Sequence, residues 1–555
     1  MTGGRATLRD VSFAVAPGEV VAIVGGSGAG KTTLLETVAG IRVPAAGEVL
    51  VGTAGARARL GYVPQDDIIH RDLPLGRTLR YVAQLRLPAE TSRAAIDRVV
   101  DETLATLDLA ERAHVRVGSL SGGQRKRASI AAEMLTHPEV FFLDEPTSGL
   151  DPATARDVMR LLRRLAHAGA TIVLTTHNPI DLDLCDRIVF LAREGHLAFV
   201  GSPSAARSYF DVADLAGAYE RLATEATPEE WGERFAARRH DGVERSQDHG
   251  AGPRPPVADG RGDGVQVTAP STAPAPGTGP AGALACRPGR WRQWAVLTRR
   301  SADLLVRNRL TLAVLVGSPA LVTAMMAVLF RPGAFQADRG GVDATQTVFW
   351  LAFAGFFFGL TYGLLQVVGE MPVLRRERLA GLHVSAYVGA KVAVLTPVLA
   401  AVAVGMLAVL RALDRLPAAG GGVYAALAVT LVLEALAALA LGLLTSAAVT
   451  DAAQATLALP MLCFPQVLFA GAVVPVPDMA DAGQAMSVGL ANRWAFESLG
   501  RILDLDALAG AGPGGSGHAA FTGSPVAGWL VLGAFTVALL AATVAVLARR
   551  APAGR

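Results

Sequence analysis

The chain has 555 residues, with 51 Lys and Arg against 48 Asp and Glu, a net charge of +3. That near-neutral balance points to no polyanionic partner and argues against nucleic-acid binding. Charged residues are 18%, apolar residues 51% and mean hydropathy is +0.38, which excludes a wholly soluble chain and a disordered one.

From the N-terminus, residues 1–19 hold Arg5, Arg9, Asp10 and Glu19 and no long apolar core, so no secretory signal is expected. Residues 1–225 alternate short apolar runs (Val20–Val24, Val140–Leu143, Thr171–Leu174) with longer amphipathic stretches such as Ala153–Ala168. This alternation predicts a soluble α/β domain around a mainly parallel sheet. Residues 226–289 are dense in Pro, Gly and Ala from Ala251 onward and read as a flexible linker. Cys185, Cys286 and Cys463 are far apart, so neither a disulfide framework nor a zinc site is expected. Lysine occurs only at Lys31, Lys126 and Lys391, which marks those positions for inspection.

Residues 290–555 read as a membrane domain. Residues 291–306 place Trp291, Trp294, Ala302 and Leu305 near one helical face and Arg292, Arg299 and Arg300 on or beside the other, as in a helix lying in the membrane interface. Six apolar segments follow, at about 311–330, 348–369, 388–410, 423–449, 455–474 and 526–547. Each has the ~20 residues needed to cross ~30 Å of hydrocarbon. Basic residues in the short flanks, eleven against six, place both termini on the cytoplasmic side. Phe349, Trp350, Phe353, Phe356, Phe357 and Phe358 cluster in the second span and suit either stacking on a flat compound or packing. Glu434 sits mid-span in the fourth segment, where a carboxylate needs a partner or a cavity, with Gln366 or Gln466 as candidate partners.

The chemistry is concentrated in the first domain. Gly25-Gly26-Ser27-Gly28-Ala29-Gly30-Lys31-Thr32 fits GxxxxGK[ST], follows the run Val20–Val24 and opens a predicted helix at Thr33. Its glycines turn backbone amides toward phosphates, Lys31 neutralises the β and γ oxygens, and the Thr32 hydroxyl ligates Mg²⁺. Val140–Leu143 delivers Asp144 and Glu145 at the end of a buried strand. Asp144 is expected to hold Mg²⁺ through water and Glu145 to polarise the attacking water. Gln65 follows Gly61-Tyr62-Val63-Pro64, and His177 follows Thr171–Leu174. Leu120-Ser121-Gly122-Gly123-Gln124 places two glycines before a helix, exposing amides for a second phosphate site.

Together these motifs resemble the nucleotide-binding domain of the ABC ATPases over about residues 7–212. The resemblance implies that Gln65 reaches Mg²⁺ and the water, that His177 contacts the γ-phosphate, and that Ser121–Gln124 of one copy close over ATP held by Gly25–Thr33 of another. Ser148-Gly149-Leu150-Asp151 looks like the loop that joins the two sites. Ser121–Arg127, Asp144–Asp151, His177-Asn178-Pro179, and, beyond the spans' start, Arg376-Glu377-Arg378 and Arg493-Trp494-Ala495-Phe496-Glu497 are similar to the G subfamily of ABC half-transporters. The expected architecture is therefore an α/β ABC-type ATPase domain followed by an all-α six-helix membrane domain, with the loop 370–391 passing ATPase closure to the spans. The resemblance implies ATP and Mg²⁺ as cofactors, a second copy as partner, the plasma membrane as location, and export of a hydrophobic or amphipathic compound. The alternative is a signalling or mechanical device without transport. The chain departs from the pattern in having no aromatic before Phe13 to stack on adenine, no Cys in the outer segment 475–525, and Asn178 where Gln is commoner.

Overall fold

The computed structural model describes residues 7–51, 59–66, 69–247, 264–267, 288–335, 342–510, 521 and 523–551. The chain divides into two compact units, residues 1–288 and 289–553.

The first unit runs β1 (Ala14–Val15), β2 (Val20–Gly25), α1 (Lys31–Val38), β3 (Glu48–Val51), β4 (Leu60–Val63), α2 (Leu75–Arg86), α3 (Arg93–Thr106), α4 (Gly122–Met134), β5 (Val140–Leu143), α5 (Pro152–His167), β6 (Thr171–Thr175), α6 (Pro179–Leu182), β7 (Arg187–Leu191), β8 (Leu197–Gly201), α7 (Pro203–Phe210), α8 (Leu215–Thr224), α9 (Pro228–Gln247) and β9 (Gly264–Val267). Its main sheet has the order β4-β5-β6-β2-β7-β8, parallel except for β8. Strands β2, β5 and β6 are buried along their whole length, as continuous apolar runs covered on both faces require. Register aligns Val63 with Leu143 and Leu143 with Leu174, while Ile23 on β2 pairs Thr175. The loops leaving β4, β5, β6 and β2 therefore share one edge, the C-terminal edge where ligands bind in open parallel sheets.

The segment expected as a linker is partly built. Helix α9 packs its Trp231, 3% exposed, against Phe210 and Tyr209, and β9 pairs in parallel with β1 and β3. Trp231 and Phe235 are one helical turn apart and supply an apolar stripe that the Pro-rich remainder lacks. The residues between α9 and β9, and most of those after β9, lie outside the described residues.

The second unit runs α10 (Arg290–Arg307), α11 (Arg309–Leu329), α12 (Val342–Leu364), α13 (Met371–Leu379), α14 (Val384–Ala412), α15 (Gly421–Ala448), α16 (Ala452–Leu468), α17 (Asp481–Val488), α18 (Ala491–Ile502), α19 (Leu505–Gly510) and α20 (Val526–Arg550). Among the described residues, five helical stretches are long and apolar enough to cross a membrane: α11, Val342–Leu379, α14, α15 and α20. Where a span was expected at 455–474, the apolar helix is α16, 17 residues long, with Pro460 and Pro465 inside it and the chain turning after Leu468. Helix α12 lies against α15 through Gly355, Gly359 and Gly363. A Cβ at Gly359 would fall 2.2 Å from the Ala435 carbonyl oxygen, and one at Gly363 would fall 2.6 Å from that of Leu439. This small-residue stripe lets the two backbones touch.

Helix α10 packs one of its faces within the unit. Gln293, Val296, Leu297 and Arg300 are its buried residues, while Trp291 is exposed. The polar members of that stripe are satisfied within the unit. Gln293 donates to the Gly381 carbonyl at 3.2 Å and accepts from the His383 amide at 2.8 Å. Arg300 forms a two-pronged ion pair with Glu377 on α13. Amphipathicity shows a helix has two faces but not whether lipid or protein covers the apolar one.

Glu434 also differs from expectation. The Gln466 side-chain oxygen accepts from the Asn492 amide and that of Gln366 from Lys391, and neither glutamine bonds Glu434. Glu434 is fully buried, with no hydrogen-bond partner at either carboxylate oxygen among the described residues, beside Gly355. The aromatic cluster of α12 is mostly internal: Phe349 meets Phe496 edge-on at 5.9 Å, and Phe356 and Phe358 are buried, while Trp350 keeps 40% exposure.

Candidate functional site

Between β2 and α1 the chain turns through Gly25–Gly30, with Gly28 and Gly30 at φ of 78° and 91°, conformations open to glycine. A Cβ at Gly25 would sit 2.4 Å from the Leu191 carbonyl oxygen, so glycine is required for the loop to pass β7. Helix α1 starts at Gly30 with no side-chain cap, leaving first-turn amides for an anion. Lys31 Nζ lies across the loop and donates to the carbonyl oxygens of Gly25 at 3.0 Å and Gly26 at 3.1 Å. Burial lowers the Lys31 ammonium below its ordinary value, against the opposing pull of Glu145 and Asp144. A phosphate at this loop would replace those neutral carbonyls with negative charge and favour the ammonium form.

The next strand end supplies two carboxylates. Asp144 Oδ1 accepts from Thr32 Oγ1 at 3.2 Å and from Thr175 Oγ1 at 2.5 Å. The Thr175 hydroxyl in turn accepts from the Glu145 amide at 2.9 Å. Glu145 has a left-handed backbone, φ 43°, rare for a residue with a Cβ. Its Oε2 lies 3.1 Å from the Gln65 side-chain nitrogen and 3.3 Å from His177 Nδ1. The loops after β4, β5 and β6 thus bring Gln65, Glu145 and His177 together, and the loop after β2 brings Thr32 to Asp144. Thr32 and Asp144, within hydrogen-bond distance of each other, offer the hard oxygens that Mg²⁺ prefers, and with Gln65 from the neighbouring strand end they would hold that ion.

Ser121–Gln124 occupy a different place, at the start of α4. Ser121 and Gln124 form a reciprocal capping box, with amide-to-side-chain distances of 3.0 and 3.3 Å. A Cβ on Gly123 would fall 2.2 Å from Thr154 Cγ2 and one on Gly122 3.1 Å from Leu150 Cδ2, so both glycines let α4 meet the start of α5. Among the described residues, no hydrogen bond joins Ser121–Gln124 to Gly25–Thr33 within the chain.

Three contributors were not identified from sequence. Thr175 fixes both carboxylates' neighbourhood. Asp181, buried after His177, accepts from Thr147 Oγ1 at 2.6 Å and Thr176 Oγ1 at 2.8 Å, tying the segment after Glu145 to the segment around His177. Burial raises Asp181 above its ordinary value, opposed by those two hydroxyls. Lys126, marked in the sequence by the scarcity of lysine and by its place in Ser121–Arg127 but given no role there, holds the Gln65 backbone.

Residues 8–148 match the ABC transporter family and residues 292–502 the ABC-2 type transporter family. The chain is 32% identical over 523 residues to the ABC transporter ATP-binding/permease protein Rv1747 of Mycobacterium tuberculosis, covering 91% of this chain and 56% of that protein. It is 40% identical over 222 residues to Protein white of Drosophila melanogaster, covering 37% of this chain and 32% of that one. Over 218 residues it is 37% identical to ABC transporter G family member 14 of Arabidopsis thaliana, covering 37% and 34%. The chain therefore spans about half the length of the first of these relatives and a third of the other two.

Proposed function

From a multi-pass chain that joins an ABC transporter ATPase unit to an ABC-2 type transporter membrane unit, as the G-family half-transporters do, we propose ATP-driven export of a hydrophobic or amphipathic compound across the plasma membrane by a dimer of two copies. The carrying observation is the meeting of Lys31, Thr32, Asp144, Glu145, Gln65 and His177 at one sheet edge. The loop from Gly25 to Thr33 binds the ATP phosphates, with Lys31 swinging from the carbonyls of Gly25 and Gly26 onto the β and γ oxygens. Glu145 polarises the water that attacks the γ-phosphate. Gln65 and His177, both at Glu145 Oε2, orient that water and the phosphate. Bound Mg²⁺ would neutralise charge developing on the phosphate oxygens. Ser121–Gln124, which make no hydrogen bond to the chain's own phosphate loop among the described residues, supply the second wall of the partner copy's site. Both termini are cytoplasmic in this reading, on the count of basic flanking residues.

Lys31→Ala is expected to weaken ATP binding about tenfold or more, because a phosphate-neutralising charge is lost. Titration of the purified protein with a fluorescent ATP analogue reads this directly, and unchanged affinity would reject the phosphate role of Lys31. Transport itself is tested with inside-out vesicles holding the wild-type protein. ATP-dependent accumulation of an amphipathic dye supports export, while ATP turnover that moves no member of a lipid and dye panel favours the signalling alternative.

A further inference from the structure

Lys126 lies in the second turn of α4 and is 4% exposed. A buried ammonium is costly unless its donors are used. Here Nζ donates to the backbone carbonyl of Gln65 at 2.8 Å and to that of Pro64 at 3.3 Å. Both carbonyls belong to the loop that leaves β4, and the side chain of the same Gln65 reaches Glu145 Oε2 at 3.1 Å. The helix that carries Lys126 begins with the Ser121–Gln124 capping box. One short path therefore runs from the start of α4, through Lys126, to the backbone of Gln65, and through its amide to Glu145.

We propose that Lys126 is a positioning residue that sets the Gln65 side chain against Glu145, and that it links the Ser121–Gln124 end of a chain to that chain's own Gln65. The proposal rests on the reading that ATP is hydrolysed at this site. A glutamine on a loop has several side-chain rotamers, and its reach is set by where its backbone is held. A lysine has three donors and a charge, so it fastens two carbonyls more firmly than a neutral side chain does. Because α4 is a rigid element, a displacement at Ser121–Gln124 moves Lys126 and, with it, Gln65. In a dimer whose Ser121–Gln124 wall faces the partner's nucleotide, filling one site would be felt at the other through this link.

The test is a double-mutant cycle on the full-length protein in lipid vesicles, with Lys126→Met, Gln65→Ala and the pair. Lys126→Met is expected to lower kcat about tenfold while KM for ATP changes less than about twofold. The double variant is expected to match Gln65→Ala alone within about twofold, since Lys126 acts only through Gln65. Multiplying losses, or a raised KM with kcat unchanged, would overturn the proposal. If Lys126→Met does not fold, Lys126→Gln, which keeps one amide donor, enters the same cycle, with a smaller loss and the same non-additivity expected. Wild-type turnover that Glu145→Gln abolishes confirms the underlying hydrolysis. Absent wild-type turnover rejects that reading and the link with it, whereas active wild type with multiplying losses rejects the link alone.

Discussion

Glu145→Gln is expected to keep ATP binding and to lower ATP turnover by roughly 10²-fold or more. The substitution is nearly isosteric, so the contacts that fix the neighbourhood remain. The Glu145 amide still bonds Thr175, and Asp144 still accepts from Thr32 and Thr175. What is lost is the carboxylate oxygen that faces both the Gln65 amide and His177. An amide cannot accept the proton of the attacking water, so the barrier rises while the phosphate loop, built from Gly25–Thr33, is untouched. ATP is then held without being cleaved, and the closed dimer should accumulate. Phosphate release at saturating ATP, measured beside nucleotide affinity on the same preparation, separates the two effects. Near wild-type turnover in the variant would remove Glu145 from the reaction.

The second large effect lies in the membrane unit. Glu377→Ala is expected to destabilise that unit by about 3–5 kcal/mol, the usual cost of leaving one member of a buried ion pair uncompensated. Arg300 is 3% exposed and its guanidinium meets both oxygens of Glu377, one of them at 3.0 Å. Removing the carboxylate leaves a cation inside a helical contact between α10 and α13. Glu377→Arg adds repulsion to that loss and should be worse. The exchanged pair, Arg300→Glu with Glu377→Arg, should recover part of the stability. Thermal unfolding in one detergent, read by the fluorescence of Trp294 and its neighbours, orders the variants. Wild-type stability of Glu377→Arg would mean the pair contributes nothing, as membrane anchoring by the surrounding arginines alone would allow.

The residues legible in the sequence were those whose partners follow from local order. Gly25–Thr32 and Asp144-Glu145 each sit at the end of an apolar run, and parallel register then carries separate strand ends to one edge. The contacts of Thr175 and Lys126 are not legible in the sequence because their partners lie 31 and 61 residues away and are met only after packing. Membrane helices hid more. Which face of α10 meets protein depends on Gln293 and Arg300 finding Gly381, His383 and Glu377, and no periodicity encodes that. Of the partners expected for Glu434, Gln466 accepts on its side-chain oxygen from the Asn492 amide and Gln366 accepts on its own from Lys391, pairings that depth in the span does not reveal. Composition alone does not separate helix α9 from the Pro-rich residues that follow it, although Trp231 and Phe235 carry a packing stripe.

The claim that two copies build each ATP site is tested most directly by mixing two variants. Ser121→Arg places a bulky cation in the wall offered to the partner's nucleotide, and Lys31→Ala disables a chain's own phosphate loop. In a dimer of either variant alone, every composite site carries one defect. In a mixed dimer both defects fall in one site and the other is intact. The account predicts that each variant alone hydrolyses almost no ATP and that co-expressed, doubly tagged and purified mixed dimers regain turnover. A Ser121→Arg protein that hydrolyses ATP at the wild-type rate by itself would contradict it.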